Sequence, residues 1–329
     1  MDFFDKVVIA KKAVEGIIFK KKFPLIAVCH VTYRCNLKCV YCGYHERNTD
    51  ELDTNNLFCL IEKFYRLGTK FIVITGGEPL LRDDLGEIVD FCKKKRMFVS
   101  MNSNGMFVKE KIDAIRNIDM LKLSLDGPRP INDRIKGKGV YDKVIGAIEA
   151  CKREGIKVNI TTVISKYNVF FIRHILDIAK EYGVGVFFQP ADQTHCGNIE
   201  KNIISELPNE TDYKKAITLL IKEKHEGNNC INNSVAGLQH LYRWPGPRKI
   251  PCLVSLFSFF LSPDGRVFIC DMFPCSQNYL TSIGRSLKET LGNLTLPYRC
   301  EHCWTGSAID FNLLAGLKLS RVVAFWNKL

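Results

Sequence analysis

The chain has no stretch of roughly 18 uncharged apolar residues, the length a helix needs to cross a bilayer. Its longest apolar run, Leu253 to Leu261, is broken by Ser255 and Ser258. The opening MDFFDKVVIAKK has no hydrophobic signal core with a small-residue cleavage site, so secretion is not expected. Low-complexity tracts and internal repeats are missing too, apart from the alternation described below, which excludes solenoids and disordered-tail architectures. What is present is 329 residues, 46% of them hydrophobic and 25% charged, enough for one large α/β body with a substantial core. Fourteen cysteines in so long a chain do not form a secreted disulfide framework; they are expected to be reduced, cytoplasmic and available to metal. The excess of 47 Lys and Arg over 35 acidic residues suits an anionic partner or, more blandly, a basic surface, and no nucleic-acid partner is expected.

From residue 25 to about 190, short apolar runs alternate with longer helix-period runs, as in repeated βα units. The expected strands are Leu25 to Thr32, Phe71 to Thr75, Met97 to Met101, Met120 to Leu125, Ile156 to Ile164 and Val184 to Gln189. Leu57, Leu60, Ile61, Phe64 and Leu67 recur at helical spacing between the first two, with Thr54 as N-cap and Gly68 past the end. The sets Leu85/Ile88/Val89/Cys92, Tyr141/Val144/Ile145/Ile148 and Phe171/Ile175/Ile178/Tyr182 repeat the pattern. Six such units predict an α/β fold, a partial (β/α)6 TIM-like barrel and not a closed eight-stranded one. After residue 250, Leu253 to Leu261, Pro263-Asp264-Gly265 and Arg266 to Cys270 read as a β-hairpin opening a small second domain of cysteine-bearing loops. A helix from Ile309 to Leu329, with Asp310 near its start and Leu313, Leu314, Leu317, Val322, Phe325 and Trp326 on one side, ends the chain. The expected divisions are 1–24, an amphipathic helix; 25–230, the barrel; 231–308, the second domain; and 309–329, the last helix.

Just after the first expected strand stands Cys35-Asn-Leu-Lys-Cys39-Val-Tyr-Cys42. Three thiolates this close can hold three irons of one cluster and leave the fourth open to a non-protein ligand. A zinc loop is the competing reading and would recruit His30 or His45 as a fourth ligand. The array, with Tyr41 before its last cysteine, resembles the signature of the radical S-adenosylmethionine (radical SAM) superfamily. Membership implies a 4Fe–4S cluster on Cys35, Cys39 and Cys42 whose open iron is chelated by S-adenosylmethionine. One-electron reduction of that sulfonium yields methionine and a 5′-deoxyadenosyl radical.

Further motifs at successive strand ends carry the resemblance through residues 25 to 190. Gly76-Gly77-Glu78-Pro79 matches the family's GGEP motif: its glycines allow close backbone approach, and its carbonyls and Glu78 are expected to receive the methionine ammonium. Asn102 after the third strand, and Ser124 and Asp126 after the fourth, are similar to residues that contact the cofactor's ribose and carboxylate. Arg134 resembles the arginine that pairs with the cofactor carboxylate in peptide-modifying relatives. Thr161, Val163 and Asn168 fall where relatives hold ribose and adenine, and Gln189 and Pro190 fall where cofactor or substrate would lie.

A second group, Cys252, Cys270, Cys300 and Cys303, can close all four positions of a metal site, as zinc or as iron–sulfur. Behind a radical SAM core it resembles the twitch module, the shortened SPASM extension with one auxiliary 4Fe–4S cluster; Cys275 is an alternative ligand and His302 a neighbour. Cys59, Cys92 and Cys151 are expected to be packing residues, Cys29 lies in the first strand, and Cys196 lies in a loop near the active face.

The resemblance implies an oxidoreductase that abstracts hydrogen from a small-molecule or lipid-linked precursor, with the auxiliary cluster as electron acceptor. A peptide maturase and a non-catalytic metal-binding protein are the alternatives. A flavodoxin or ferredoxin would donate electrons. Residues 3 to 22, with Phe3, Phe4, Val7, Val8, Ile17 and Ile18 beside Lys11, Lys12 and Lys20 to Lys22, and the end of the chain, with Phe325, Trp326 and Lys328, suit either barrel capping or peripheral membrane contact.

Overall fold

The computed structural model describes residues 11, 12, 14–193, 202–270, 280, 281, 286–294 and 304–315. Expectations about Phe3, Phe4, Val7, Val8, Cys196, Cys275, Cys300, His302, Cys303, Leu317, Val322, Phe325, Trp326 and Lys328 lie outside these residues.

Six parallel strands run in chain order, β1 (Ile26–Thr32), β2 (Phe71–Gly76), β3 (Phe98–Ser103), β4 (Met120–Ser124), β5 (Val158–Ile164) and β6 (Gly185–Pro190). Each lies within about two residues of the run that predicted it. Five helices belong to the connections: α1 (Thr54–Arg66), α2 (Leu85–Lys94), α3 (Arg129–Lys136), α4 (Val140–Arg153) and α5 (Ile172–Tyr182). The crossover helices bury Leu57, Ile61, Phe64, Ile88, Val144 and Ile175 against the outer face of the sheet, whose Ile74, Met101, Leu121, Leu123 and Ile160 are inaccessible to solvent. Among the described residues the sheet is open, in the order β6-β5-β4-β3-β2-β1 followed by β7 (Ser258–Leu261), β8 (Arg266–Phe268) and β9 (Leu280–Thr281), which is the partial-barrel expectation.

Several local expectations need correction. Asp53, not Thr54, caps α1 by accepting from Asn56 N at 2.8 Å; the Thr54 hydroxyl instead donates to Asp84 at 2.7 Å. Cys59 is exposed, whereas Cys92 and Cys151 are buried as packing predicts. Phe171 precedes α5 and is 37% exposed, so it is no part of the buried stripe. The first half of Leu253 to Leu261 is a helical turn, α8 (Val254–Phe257), and only Ser258–Leu261 forms β7. Its helical start is imposed from a distance: Asn312 Oδ1 accepts from Leu253 N at 2.7 Å and Val254 N at 2.9 Å, the amides that a strand would direct to a neighbour.

β7 pairs in parallel with β1, and β8 (Arg266–Phe268) returns antiparallel to it, followed by β9 (Leu280–Thr281). The hairpin therefore extends the barrel sheet. Three helices precede or follow it: α6 (Glu210–His225), α7 (Val235–Leu241) and, after α8, α9 (Leu287–Asn293). At the N-terminal side residues 14–19 are helical, with Ile17 packed beside Leu25 and Phe257 and with Ile18 and Phe19 each about two-thirds exposed. Lys22 Nζ donates to the carbonyls of Leu291, Gly292 and Leu294, capping the C-terminal end of α9 where the helix dipole favours a cation. That lysine is thus engaged by the protein. Among the described residues no helix is long and apolar enough to cross a membrane.

The last described helix, α10 (Gly306–Ala315), is tied to α7 by Asp310, which accepts from Ser234 N and from Ser234 Oγ at 2.5 Å. Burial pushes the Asp310 carboxyl up to about 6, against these hydrogen bonds, which pull it down. Because the folded value is the higher one, the folded chain binds more protons between the ordinary aspartate value near 4 and about 6, so stability falls as pH rises through that window. Asp310→Asn keeps an acceptor but cannot ionise, so the urea midpoint of the wild type relative to Asp310→Asn should decline from pH 4 to pH 6.5. A pH-independent difference would show that Asp310 titrates normally.

Candidate active site

The three cysteines lie in the loop leaving the C-terminal end of β1, all half-buried. Two sets of contacts fix that loop. On one side, Gly77 N donates to Thr32 O at 2.8 Å and Glu78 N to Arg34 O at 2.9 Å, so the GGEP segment is laced to the residues just before Cys35. A Cβ at Gly76 would stand 2.0 Å from Thr32 O, and one at Gly77 would stand 2.2 Å from Arg34 O and 2.5 Å from Tyr33 O. The close approach these glycines permit is therefore to the chain itself, where ligand approach was expected.

Glu78 also differs from expectation. Its carboxylate is fully buried and accepts from Leu80 N at 3.1 Å, Ser103 Oγ at 2.9 Å and Asn104 N at 2.8 Å. It is committed to bracing the β2 and β3 loops and is not aimed at an incoming ammonium. Burial raises its carboxyl to about 7 although all three donors oppose the shift. Pro79 begins the following 3-10 turn, Pro79–Leu81, as a missing N–H allows.

On the other side, Val40 N donates to Ile135 O at 3.0 Å, and Tyr41 reaches a buried charge pair. Asp126 and Lys136 are 2.8 Å apart with side chains 0% and 3% exposed. The Tyr41 hydroxyl donates to Asp126 Oδ2 and accepts from Lys136 Nζ at 2.8 Å. The other carboxylate oxygen accepts from Val163 N at 2.8 Å, and Asp126 N donates to Asn132 Oδ1 at 3.0 Å. One ion pair thus joins the cysteine loop, α3 and β5. Burial opposes the Lys136 charge, yet Asp126, Cys39 and Cys42 hold its pKa above the ordinary lysine value. The sequence reading named Asp126 and Tyr41 but missed Lys136. The one local signal is its place four residues after Asn132, on the same helical face, 95 residues from Tyr41.

Among the described residues no three His, Cys, Asp or Glu side chains converge as a single-ion site. One tetrahedral zinc needs its sulfurs within about 4 Å of each other, since each lies ~2.3 Å from the metal. His30, a candidate zinc ligand, is enclosed by the rings of Tyr33, Tyr44, Phe260 and Phe268 at 5.3–6.5 Å, and His45 stands 3.4 Å from Glu46. Burial, then the neighbouring Cys39, pushes the Cys42 thiol up to about 11, and burial raises Cys35. As thiolates they would need cationic partners, of which the Lys136 ammonium near Cys42 is one.

The remaining expected residues divide by strand position. Ser124 and Thr161 are paired in register, and Val163 and Gln189 form the next pair toward the C-terminal ends of the strands, all on the inner face. Asn102, on that face of β3, donates to Thr75 Oγ1 at 3.1 Å. Asn168 holds Val163 O at 2.8 Å and is buried, so it shapes the β5 end from behind. Arg134 is exposed on α3 with its guanidinium 4.5 Å above the Tyr167 ring.

A pocket of about 110 Å³ opens between Tyr41, Cys42 and Tyr44 of the cysteine loop, Val163 and Gln189 of the strands, and Trp304. Trp304 follows Cys303 directly in the sequence, is 1% exposed and stacks on His240 at 5.2 Å. Beside it Gly306 N donates to Gln189 Oε1 at 3.3 Å. The chain emerging from the second cysteine group therefore closes over the C-terminal end of β6. Of that group, Cys252 and Cys270 are half-buried and Cys270 packs on the core.

Comparison with known proteins agrees with this geometry. The chain is 34% identical over 170 residues to the Fe-coproporphyrin III synthase of Methanosarcina barkeri, covering 50% of this chain and 43% of that one. It is 27% identical over 260 residues to the PqqA peptide cyclase of Gluconobacter oxydans, covering 75% and 70%. Its fold superposes on Streptococcus suis SuiB bound to the precursor peptide SuiA with a TM-score of 0.70 at 16% identity, covering 87% of this chain and 69% of SuiB. The chain spans about half the length of the curated relatives it matches with greatest significance. Residues 29–184, which carry all three cysteines and the GGEP turn, match the family described as the Radical SAM superfamily.

Proposed function

We propose that this protein is a radical SAM enzyme that cleaves S-adenosylmethionine reductively and oxidises a substrate held between its two cysteine groups. The observation carrying this reading is the pocket that Cys42, β5, β6 and Trp304 enclose together. Cys35, Cys39 and Cys42 would hold a 4Fe–4S cluster, which supplies the electron that makes a carbon-centred oxidant of the bound cofactor. The chain's own residues bind, orient and exclude water. Ser124, Thr161 and Val163 line the inner face where the nucleoside would lie, and Asn102 stands deeper on it. The carbonyls of Gly76 and Gly77, not the Glu78 carboxylate, remain to meet the ammonium. Arg134, lifted from Tyr167, is the candidate partner of the cofactor carboxylate.

Cys252, Cys270, Cys300 and Cys303 would hold the auxiliary 4Fe–4S cluster of a twitch module as acceptor of the electron left on the substrate, giving a net two-electron oxidation. The substrate would be a small or lipid-linked molecule; peptide maturation is the second reading, favoured because PqqA peptide cyclase is matched along three-quarters of this chain. A flavodoxin or ferredoxin would provide the first electron, with no nucleic acid involved, in a cytoplasmic protein; a peripheral membrane contact through Ile18 and Phe19 would make vesicle binding depend on them.

Anaerobic reconstitution and reduction should give 5′-deoxyadenosine from the wild type and background levels from Cys42→Ala. Cleavage persisting in Cys42→Ala would overturn the site. Cys300→Ala should lose the auxiliary iron with cleavage retained, and unchanged iron would remove that cysteine from the ligand set.

A further inference from the structure

One cation of the barrel is used by none of these contacts. Lys122 stands in the middle of β4 between Leu121 and Leu123, both fully buried against the helices, so strand alternation turns Lys122 to the inner face with Ser124. The register sets Asn102 of β3 on one side of it and Asn159 of β5 on the other. Asn102 leads on to Thr75 through its amide. Opposite Asn159 comes Gly185, whose Cβ would lie 2.2 Å from Asn232 Nδ2 and 2.6 Å from Asn159 Oδ1; the missing side chain makes room for two amides in the same layer. From β1 across the sheet the layer is His30, Thr75, Asn102, Lys122 and Asn159, with Asn232 beside Gly185, and it contains no carboxylate.

Among the described residues no hydrogen bond or ion pair reaches Lys122 Nζ. Burial alone moves its pKa, downward, with no carboxylate opposing it. This is the reverse of Lys136, a buried ammonium fully supplied with Asp126 and Tyr41. Lys122 is half-buried on the inner face and has no counter-charge within reach, so its place is one that a bound anion would complete. Lys122 lies two layers below Val163, roughly 13 Å of strand at ~3.3 Å per residue, on the face that leads up to the pocket at Cys42.

We propose that Lys122, with the amides of Asn102 and Asn159, forms a carboxylate-binding subsite on the floor of the barrel, and that the substrate is an acid anchored there while its reacting carbon extends to the pocket. A carboxylate is the matching anion because its two oxygens accept from an ammonium and flanking amide N–H groups at once. The inference rests on reading the pocket as the substrate site. Its test needs no turnover, so it stands or falls separately from cofactor cleavage.

Reconstituted protein saturated with S-adenosylmethionine would be acetylated by an N-hydroxysuccinimide ester, with the labelling rate of each lysine read by peptide mass spectrometry. Propionate should slow labelling of Lys122 at least about fivefold, with exposed Lys109 and Lys138 unaffected. Equal protection by propionamide, or none by propionate, would overturn the subsite; stronger protection by inorganic phosphate would overturn the carboxylate assignment. If S-adenosylmethionine alone gives full protection and propionate adds nothing, the lysine serves the cofactor and the proposal fails. Equilibrium dialysis with labelled propionate provides an independent reading, since Lys122→Met should weaken binding about tenfold or more, a loss of ~1.4 kcal/mol. Equal binding by wild type and variant would overturn it.

Discussion

Lys136→Met should destabilise the protein by about 3–5 kcal/mol and lower the iron bound at the cysteine loop. The substitution removes the cation and leaves Asp126 fully buried with its charge uncompensated, beside a tyrosine hydroxyl that has also lost a donor. The effect should pass to the cluster because the same contact holds Tyr41, and Cys39 and Cys42 flank it in the loop. Substituting Asp126→Asn in the Lys136→Met background should recover much of the loss: the amide is neutral, and its oxygen can still accept from Val163 N. That recovery separates a charge effect from lost packing, which the second substitution would not restore. Tyr41→Phe should cost less, about 1–2 kcal/mol, because it removes a neutral hydrogen-bonding group and leaves the ion pair intact. Urea midpoints with iron content measured in parallel decide the order; a Lys136→Met protein as stable as Tyr41→Phe would show that the pair is not the clamp.

The clamp also shows where legibility in the sequence stops. The six strands and the helices α1, α2, α4 and α5 could be read because each is written in consecutive residues, period 2 or near-continuous apolar for strands and period 3.6 for helices. The three-thiol array stood out for the same reason, its cysteines lying within eight residues. Lys136 was not, because nothing near it in the chain needs a cation; its partners Tyr41 and Asp126 come from other elements and meet only after folding. The start of α8 escaped for a similar reason, since Asn312, 58 residues away from Val254, turns an apolar run with strand character into a helical turn. Glu78 stands where the motif placed it, with its carboxylate accepting from three protein donors. A motif indicates which residue stands at a strand end, but whether its carboxylate faces a ligand or three protein donors is decided by the fold of the loop after β3.

Gly77→Ala should lower both stability and iron content through a steric effect alone. Gly76 would confound conformation with space, since its φ of +134° is itself unsuited to other residues. Gly77 isolates the steric term: its Cβ would meet two backbone carbonyls, Arg34 O at 2.2 Å and Tyr33 O at 2.5 Å, and backbone cannot rotate away as a side-chain end can. Relief requires the 33–34 segment to move, and Cys35 follows it directly in the chain. A loss of about 3 kcal/mol is expected, the upper range for an overpacked site. Gly146 in α4 provides the opposing control, because a Cβ there meets nothing within 4 Å. Gly146→Ala should therefore stabilise by about 0.5–1 kcal/mol through helix propensity and leave iron content unchanged. Two identical changes of one methyl group should thus shift the urea midpoint in opposite directions, with iron lost in only one. If Gly77→Ala retained both midpoint and iron, the GGEP turn would not be what positions the cysteine loop, and the ion pair on its other side would have to hold it alone.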